Sequence, residues 1–336
     1  MSRARRASLG GASPKRAPRR LDEAEAVRLF SRAFATSRGR GVELGIGDDA
    51  AVLAIGGERL VWTVDAQVEG THFERAWLGL DAIGFRAFQA AASDLAAMGA
   101  TPLAALSALT LPRGFSGAEL ARLSAGQAEA ARACRCPIVG GNVARGPLLT
   151  LTTTLLGTAK KPLMRSGARP GDEVWLVGEV GLSAAGLALL MTGRTGARAA
   201  STRRALSAFR RPRALLTEGA RLAGIAHAAI DVSDGLALDT SRMAQASGCR
   251  LVLEEAALTQ VLTPELLKLA ESVGRSALDL ALTGGEDFAL VATGTARQRP
   301  AFARRIGRCE RGRGGVWERA DGRTARLTGG FDHFAR

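Results

Sequence analysis

Fourteen residues, AFQAAASDLAAMGA at positions 87–100, constrain this chain more than any other segment. All are small, apolar or uncharged except one, Asp94. The run extends over 79–98 and is closed by Gly99, which predicts a helix with no polar face and therefore buried on most sides. An ionised carboxylate in such a helix needs a partner, because unpaired burial is costly. No Arg or Lys stands within four residues of Asp94. Its partner then comes from elsewhere in the fold, unless the acid sits at an exposed helix edge or accepts local hydrogen bonds.

The other notable acids fall at strand ends and glycine turns. The Gly-rich stretch 39–47 ends in Asp48-Asp49, and RLVWTV (59–64) reads as a strand terminating at Asp65. Residues 225–232 read as a strand running into Ser233-Asp234-Gly235, with Asp231 just before the turn and a helix to 246 after it. There Asp234 also suits a simple helix N-cap. Two carboxylates about 4 Å apart repel by roughly 4 kcal/mol at an effective dielectric of 20, so such acids gather only with cations. Oxygen donors with few His and scattered Cys point to Mg²⁺ rather than zinc. Acid-bound Mg²⁺ is most useful on a polyphosphate. No Gly-Lys pair exists to build a P-loop, and the 45–47 stretch lacks the third glycine of a dinucleotide fingerprint. ATP, if handled here, is handled by metals and Gly-rich turns.

A length of 336 residues, 46% apolar and 23% charged, predicts a globular protein of about two domains with material for two cores. No apolar run reaches the roughly 18 residues of a membrane span. The N-terminus lacks the apolar segment of a secretory signal, so the expected location is cytoplasmic. The net charge of +14 invites a nucleic-acid reading. Seven of those charges lie in 1–20, which hold no acid and read as a disordered, solvated tail. Only four basic residues are Lys, Asn142 is the one Asn, and Tyr is absent; a GC-rich genome produces that profile without selection for binding. Cys134, Cys136, Cys249 and Cys309 match no zinc or disulfide framework and read as reduced structural thiols.

Helices are expected at 21–34, 79–98, 117–135, 183–190 and 213–223, and strands at 59–64, 103–111, 136–139, 148–156, 173–177 and 225–232. Gly140-Gly141-Asn142 reads as a turn and 194–204 as a loop. Pro162 and RSGARPGD (165–172) form a turn-rich joint, which places a domain boundary near 160. The domains are then a tail at 1–20, an N-terminal domain at 21–160 and a C-terminal domain at 161–336, mixed α/β and α+β.

Eight segments in order carry a family resemblance: GIGDDAAVL (45–53), VDAQVEGTHF (64–73), SDLAAMGATP (93–102), GGNVARGP (140–147), RSGARPGD (165–172), DVSDGL (231–236), LTGGEDF (282–288) and GGFDHF (329–334). The chain resembles the thiamine-monophosphate kinase family, within the PurM-like superfamily that includes aminoimidazole ribonucleotide synthetase. The resemblance implies ATP-dependent transfer of a phosphoryl group to thiamine monophosphate, giving thiamine diphosphate. It also implies a two-domain PurM-like fold whose N-terminal domains pair into a dimeric β-barrel.

By the same resemblance, Asp49, Thr63, Val64, Asp65, Asp94, Asn142, Asp231 and Asp234 hold several Mg²⁺ ions. Gly141, Arg165 and Ser233 contact ATP. His72, Glu286 and Phe331 bind the substrate, a carboxylate and an aromatic face suiting a cationic heterocycle. Three departures stand out: Asn142 replaces a common Asp, Val64 replaces a hydroxyl residue and can offer only its backbone oxygen, and Phe331 stands where Tyr is frequent. Locally, His72 also reads as a loop histidine, Glu286-Asp287 as an ordinary turn and Phe331 as a core anchor; His227 and His333 read as structural. Selenophosphate synthetase, the alternative within the superfamily, needs an N-terminal Cys, and none precedes Cys134. A basic nucleic-acid-binding protein is the alternative outside it.

Overall fold

The computed structural model describes residues 23–34, 41–196 and 199–331. The tail 1–20, the start of the Gly-rich stretch at Gly39 and the histidine at 333 lie outside the described residues. Helix α1 (Glu23–Phe34) belongs to a unit separate from residues 38–331. It stacks Phe30 and Phe34 one turn apart, with ring centroids at 5.6 Å.

The first half of the larger unit is a six-stranded sheet. It comprises β1 (Val42–Leu44), β2 (Ala51–Ile55), β3 (Glu58–Val68), β4 (Thr101–Leu111), β5 (Ile138–Arg145) and β6 (Thr150–Thr158), in the order β1-β2-β3-β6-β4-β5. Neighbours are antiparallel except β4 and β5, which run parallel. Helix α2 (Leu80–Ala97) joins β3 to β4, and α3 (Gly117–Ala133) joins β4 to β5. A capping box between Ser116 and Glu119 starts α3. Strand side chains alternate between faces. Val61, Thr63 and Gln67 of β3 are buried with Leu151, Thr153 and Leu155 of β6. Trp62 and Val64, on the opposite face, are 50% and 63% exposed.

The second half is a seven-stranded sheet of β7 (Glu173–Val177), β8 (Ala228–Asp231), β9 (Arg250–Glu254), β10 (Leu290–Gly294), β11 (Ala303–Glu310), β12 (Gly314–Glu318) and β13 (Thr324–Arg326). Its order is β13-β12-β9-β11-β7-β10-β8, with only β9 and β12 parallel. Its helices are α4 (Leu182–Met191), α5 (Ala200–Arg210), α6 (Leu216–Leu222), α7 (Leu236–Ser247), α8 (Glu255–Val261), α9 (Pro264–Ala270) and α10 (Ala277–Thr283).

Helix α2 is buried on nearly every side, as its composition demands. It packs on α3 so closely that a Cβ at Gly126 would lie 1.9 Å from the Asp81 carbonyl oxygen, and one at Gly84 would lie 2.1 Å from that of Leu123. Its other sides meet β3, β6, β8 and α6. One apolar cluster runs from Ile83, Leu123 and Leu151 to Val174, Leu189 and Leu253, across both halves, while a second, with Val52, Phe88, Leu95 and Leu155, lies almost wholly in the first.

Two local expectations fail. Residues 140–142 do not turn the chain; they continue β5, paired residue for residue with β4 from Leu106 to Ala108. Gly141 is required by that pairing, since its Cβ would fall 1.8 Å from the Ser107 carbonyl oxygen. Residues 200–204, expected in a loop, begin α5. Buried Thr202, Ala205, Leu206 and Phe209 follow a helical period between exposed arginines. Among the described residues no helix is long and apolar enough to cross a membrane.

Candidate active site

Asp48 and Asp49 sit in the turn before β2, and both meet Arg165 from the joint between the halves. Asp49 Oδ1 lies 2.5 Å from Arg165 Nη2, and Asp48 Oδ1 lies 3.4 Å from Nε. Asp48 also accepts the backbone N–H of Asp49 at 2.9 Å and that of Arg165 at 3.1 Å. Behind this contact, Ser247 Oγ donates to the Arg165 carbonyl and accepts from the N–H groups of Gly167 and Ala168. Arg165 is therefore fixed from both sides, and its fork faces two carboxylates.

Ser93 and Asp94, consecutive on α2, reach into different halves. Thr63 Oγ1, on the inner face of β3, donates to Asp94 Oδ2 at 2.5 Å. Ser93 Oγ donates to Asp231 Oδ2 at 2.6 Å, at the end of β8. Asp65, two residues after Thr63 on the same face, accepts from Gln67 Nε2 at 3.0 Å. The apolar helix thus brings Asp94 to a partner in the sheet, which settles the local question about it.

These carboxylates act on one another. Burial pushes Asp94 well above the usual range, and repulsion from Asp231, Asp49 and Asp65 adds to it. Asp49 is likewise raised, first by burial and then by Asp231 and Asp48, against the pull of Arg165. Asp231 is pushed up to about 6 by burial, with Asp234 and Asp65 raising it and the Ser93 hydrogen bond and Arg165 opposing. The acids from both halves therefore act on one another, and Arg165 opposes the rise at both Asp49 and Asp231. Asp49 Oδ2 is buried with no hydrogen-bond partner. Among the described residues no three acids, His or Cys are close enough to form a ready-made metal cluster.

The second half adds a loop cluster. Asp234 pairs with Arg242, and its N–H and that of Gly235 donate to Asp239 Oδ2 at 3.0 and 3.2 Å. Buried Asp239 is pushed up to about 7, chiefly by desolvation and then by Asp234. The Ser233 carbonyl accepts from the Glu286 N–H at 2.7 Å, and the Asp234 carbonyl accepts from the Phe331 N–H at 2.8 Å. Ser233, Asp234, Glu286 and Phe331 are thereby tied backbone to backbone. Glu286 and Phe288 have φ of +63° and +50°, a conformation that costs side-chain-bearing residues about 1–3 kcal/mol each. Asp287 between them accepts from the N–H groups of Gly181 and Ser183 and clamps the loop. This is a built loop, not an ordinary turn.

The remaining expected residues stand apart from this group. His72 Nδ1 accepts the Val68 N–H at 3.0 Å, which puts the ring proton on Nε2. Register aligns Asp65 with Thr153, Ser107 and Gly141 across the sheet. Asn142 is one residue further, in the row with Ala108, so its side chain is on the opposite face. Val64 alternates away from Asp65 in the same manner. His227 pairs with Asp172 at 2.9 Å.

Three residues of the site were not singled out by the sequence, Ser93, Asp239 and Arg86, and Asp48 was noted among the acids without a role. Asp48 and Asp239 hold backbone N–H groups beside the acids. Arg86 is 2% exposed and forms an ion pair with Glu286. A signal for it existed, since Arg86 is the one basic residue of α2.

Two family models match the chain: AIR synthase related protein, N-terminal domain, over residues 47–159, and its C-terminal domain over 169–310. The thiamine-monophosphate kinase of Aquifex aeolicus is 32% identical over 271 residues, 80% of this chain and 87% of that protein. That of Mycobacterium tuberculosis is 37% identical over 254 residues, 75% of this chain and 74% of its own length. Among solved structures, AaThiL complexed with AMPPCP and TMP superposes with a TM-score of 0.86 at 30% identity, covering 94% of this chain and 97% of that one.

Proposed function

The chain belongs to the thiamine-monophosphate kinase family, with the two-domain PurM-like fold, and on that premise we propose how its residues serve the reaction. The activity is ATP-dependent phosphorylation of thiamine monophosphate to thiamine diphosphate. Relatives of that name match three quarters or more of the chain, and the superposable AaThiL structure holds AMPPCP and TMP. The observation that carries the reading to this chain is that acids of both halves are held through α2 and the joint: Asp49 by Arg165, Asp94 by Thr63 and Asp231 by Ser93.

The acceptor is a phosphate oxygen ionised at neutral pH, so no strong general base is needed. The work is positioning and neutralisation of charge. Divalent cations fit this site: several buried acids repel one another beside Arg165, and Asp49 Oδ2 has no protein donor. Asp49, Thr63, Asp65, Asp94, Asp231 and Asp234 would hold Mg²⁺, which when bound supplies Lewis-acid neutralisation of the phosphates. The Asn142 side chain faces the other side of the sheet from Asp65, and Val64 would contribute only its backbone oxygen. Arg165 offers a planar fork for ATP phosphates, with Gly141 and Ser233 as backbone contacts. Glu286, Phe331 and His72 serve the thiamine end.

Residues 21–160 and 161–336 act as the two domains of the enzyme. The exposed face of the first sheet supports a homodimer: Trp62 is paired with Leu156, and Val64 lies level with Thr154 and Leu106 in an uncharged patch. Four buried, unpaired cysteines and the use of ATP support work in the cytoplasm.

Purified protein given ATP, Mg²⁺ and thiamine monophosphate yields thiamine diphosphate and ADP. Asp49→Ala lowers turnover by about 100-fold. Wild-type turnover in that variant removes Asp49 from the ligand set.

A further inference from the structure

Arg86 is a buried charged residue of the larger unit that the phosphoryl-transfer reading leaves without a role. It rises from the apolar α2 and is 2% exposed. Its guanidinium lies 4.2 Å from the centre of the Phe209 ring. Nη1 donates to the Phe209 carbonyl at 2.5 Å, and Nη2 binds Glu286 Oε1. Nε has no partner. Ring, carbonyl and carboxylate together fix all freedom of the fork.

Glu286 is the exposed member of the pair, at 25%. Its backbone is already set by the Ser233 carbonyl and by the strained loop, which leaves only its side-chain torsions to be fixed. Arg86 fixes them. It also offsets the carboxylate charge from behind, on the side away from solvent. A carboxylate compensated in this way presents a directed hydrogen-bond acceptor rather than a lone countercharge.

We propose that Arg86 is a positioning residue for thiamine monophosphate: it aims Glu286 and compensates its charge, so that Glu286 meets the heterocyclic end of the substrate as an oriented acceptor. The same helix carries Asp94 eight residues on, about 12 Å along its axis. Helix α2 therefore sets the spacing between the phosphoryl end and the heterocyclic end of the site. This inference rests on the phosphorylation activity and on Glu286 touching substrate.

The test is a double-mutant cycle with Arg86→Met and Glu286→Gln, reading KM for each substrate, kcat, and thermal midpoint. Arg86→Met is expected to raise KM for thiamine monophosphate at least tenfold and to leave KM for ATP within twofold. The double variant is expected to match the worse single variant, because Arg86 acts through Glu286. Arg86→Lys, which keeps the charge but not the fork, is expected to recover part of the loss. Should Arg86→Met fail to fold, the cycle is run with Arg86→Lys. Equal rises in both KM values, or losses that multiply in the double variant, overturn the proposal in favour of a purely structural arginine. A wild-type protein without thiamine monophosphate kinase activity would instead sink the underlying reading.

Discussion

Asp287 carries a pH signature separate from the phosphate chemistry. Its carboxyl is pushed up to about 7, chiefly by burial, while the N–H groups of Gly181 and Ser183 pull it back down. In the unfolded chain it titrates near 3.8. Between about pH 4 and 7 the folded protein keeps a proton that the unfolded chain has released. Stability from this group is therefore full below pH 4 and declines as pH rises to 7, by up to about 1.4 kcal/mol per unit. Asp287→Asn removes that dependence. Urea unfolding at pH 5 and pH 8 should show the wild type losing about 2–3 kcal/mol more than the variant over this interval; an equal loss contradicts the assignment. At this scale the sequence was informative where a residue clashed with its neighbours. Asp94 in an uncharged run announced itself, and its Thr63 partner was waiting in a strand. Arg86 broke the same helix but was one of many arginines, and only the fold pairs it with a residue two hundred positions away.

Helix α2 links these contacts. It carries Arg86, Ser93 and Asp94 to three partners, and its placement depends on backbone-to-backbone contact with α3. A methyl group at Gly126 cannot be accommodated without moving one helix, as its position lies 1.9 Å from a carbonyl oxygen. Gly126→Ala should cost about 1–3 kcal/mol in chemical unfolding. It should also lower kcat/KM, because the shift is passed to Asp94. Unchanged stability would mean that α3 yields freely. Elements with a continuous apolar run were legible, as α2 and β7 show. Strand β5 was not, because Gly140-Gly141-Asn142 is turn chemistry by composition. Its requirement for glycine comes from the neighbouring strand, which sequence does not display. Helix α5 was hidden by the arginines on its solvent face.

For the whole molecule, ordered motifs pointed to the family and the two-domain fold, but not to the apolar cluster that runs across both halves. That feature arises because α2 has apolar residues on every side and needs cover from both. The uncovered face of the first sheet leads to a further expectation. Val64→Asp or Leu106→Asp places a charge in the apolar patch and should convert a dimer to a monomer in light scattering at micromolar protein. A dimer that survives both changes pairs through another surface. The claim on which the account turns is that acids from the two sheets serve one triphosphate. A crystal grown with Mn²⁺, AMPPCP and thiamine monophosphate tests it by anomalous scattering. Metal peaks flanked by Asp49, Asp94 and Asp231, between the nucleotide phosphates and the substrate phosphate, are the predicted result. Nucleotide bound away from these aspartates, or metal ligated by none of them, would contradict it.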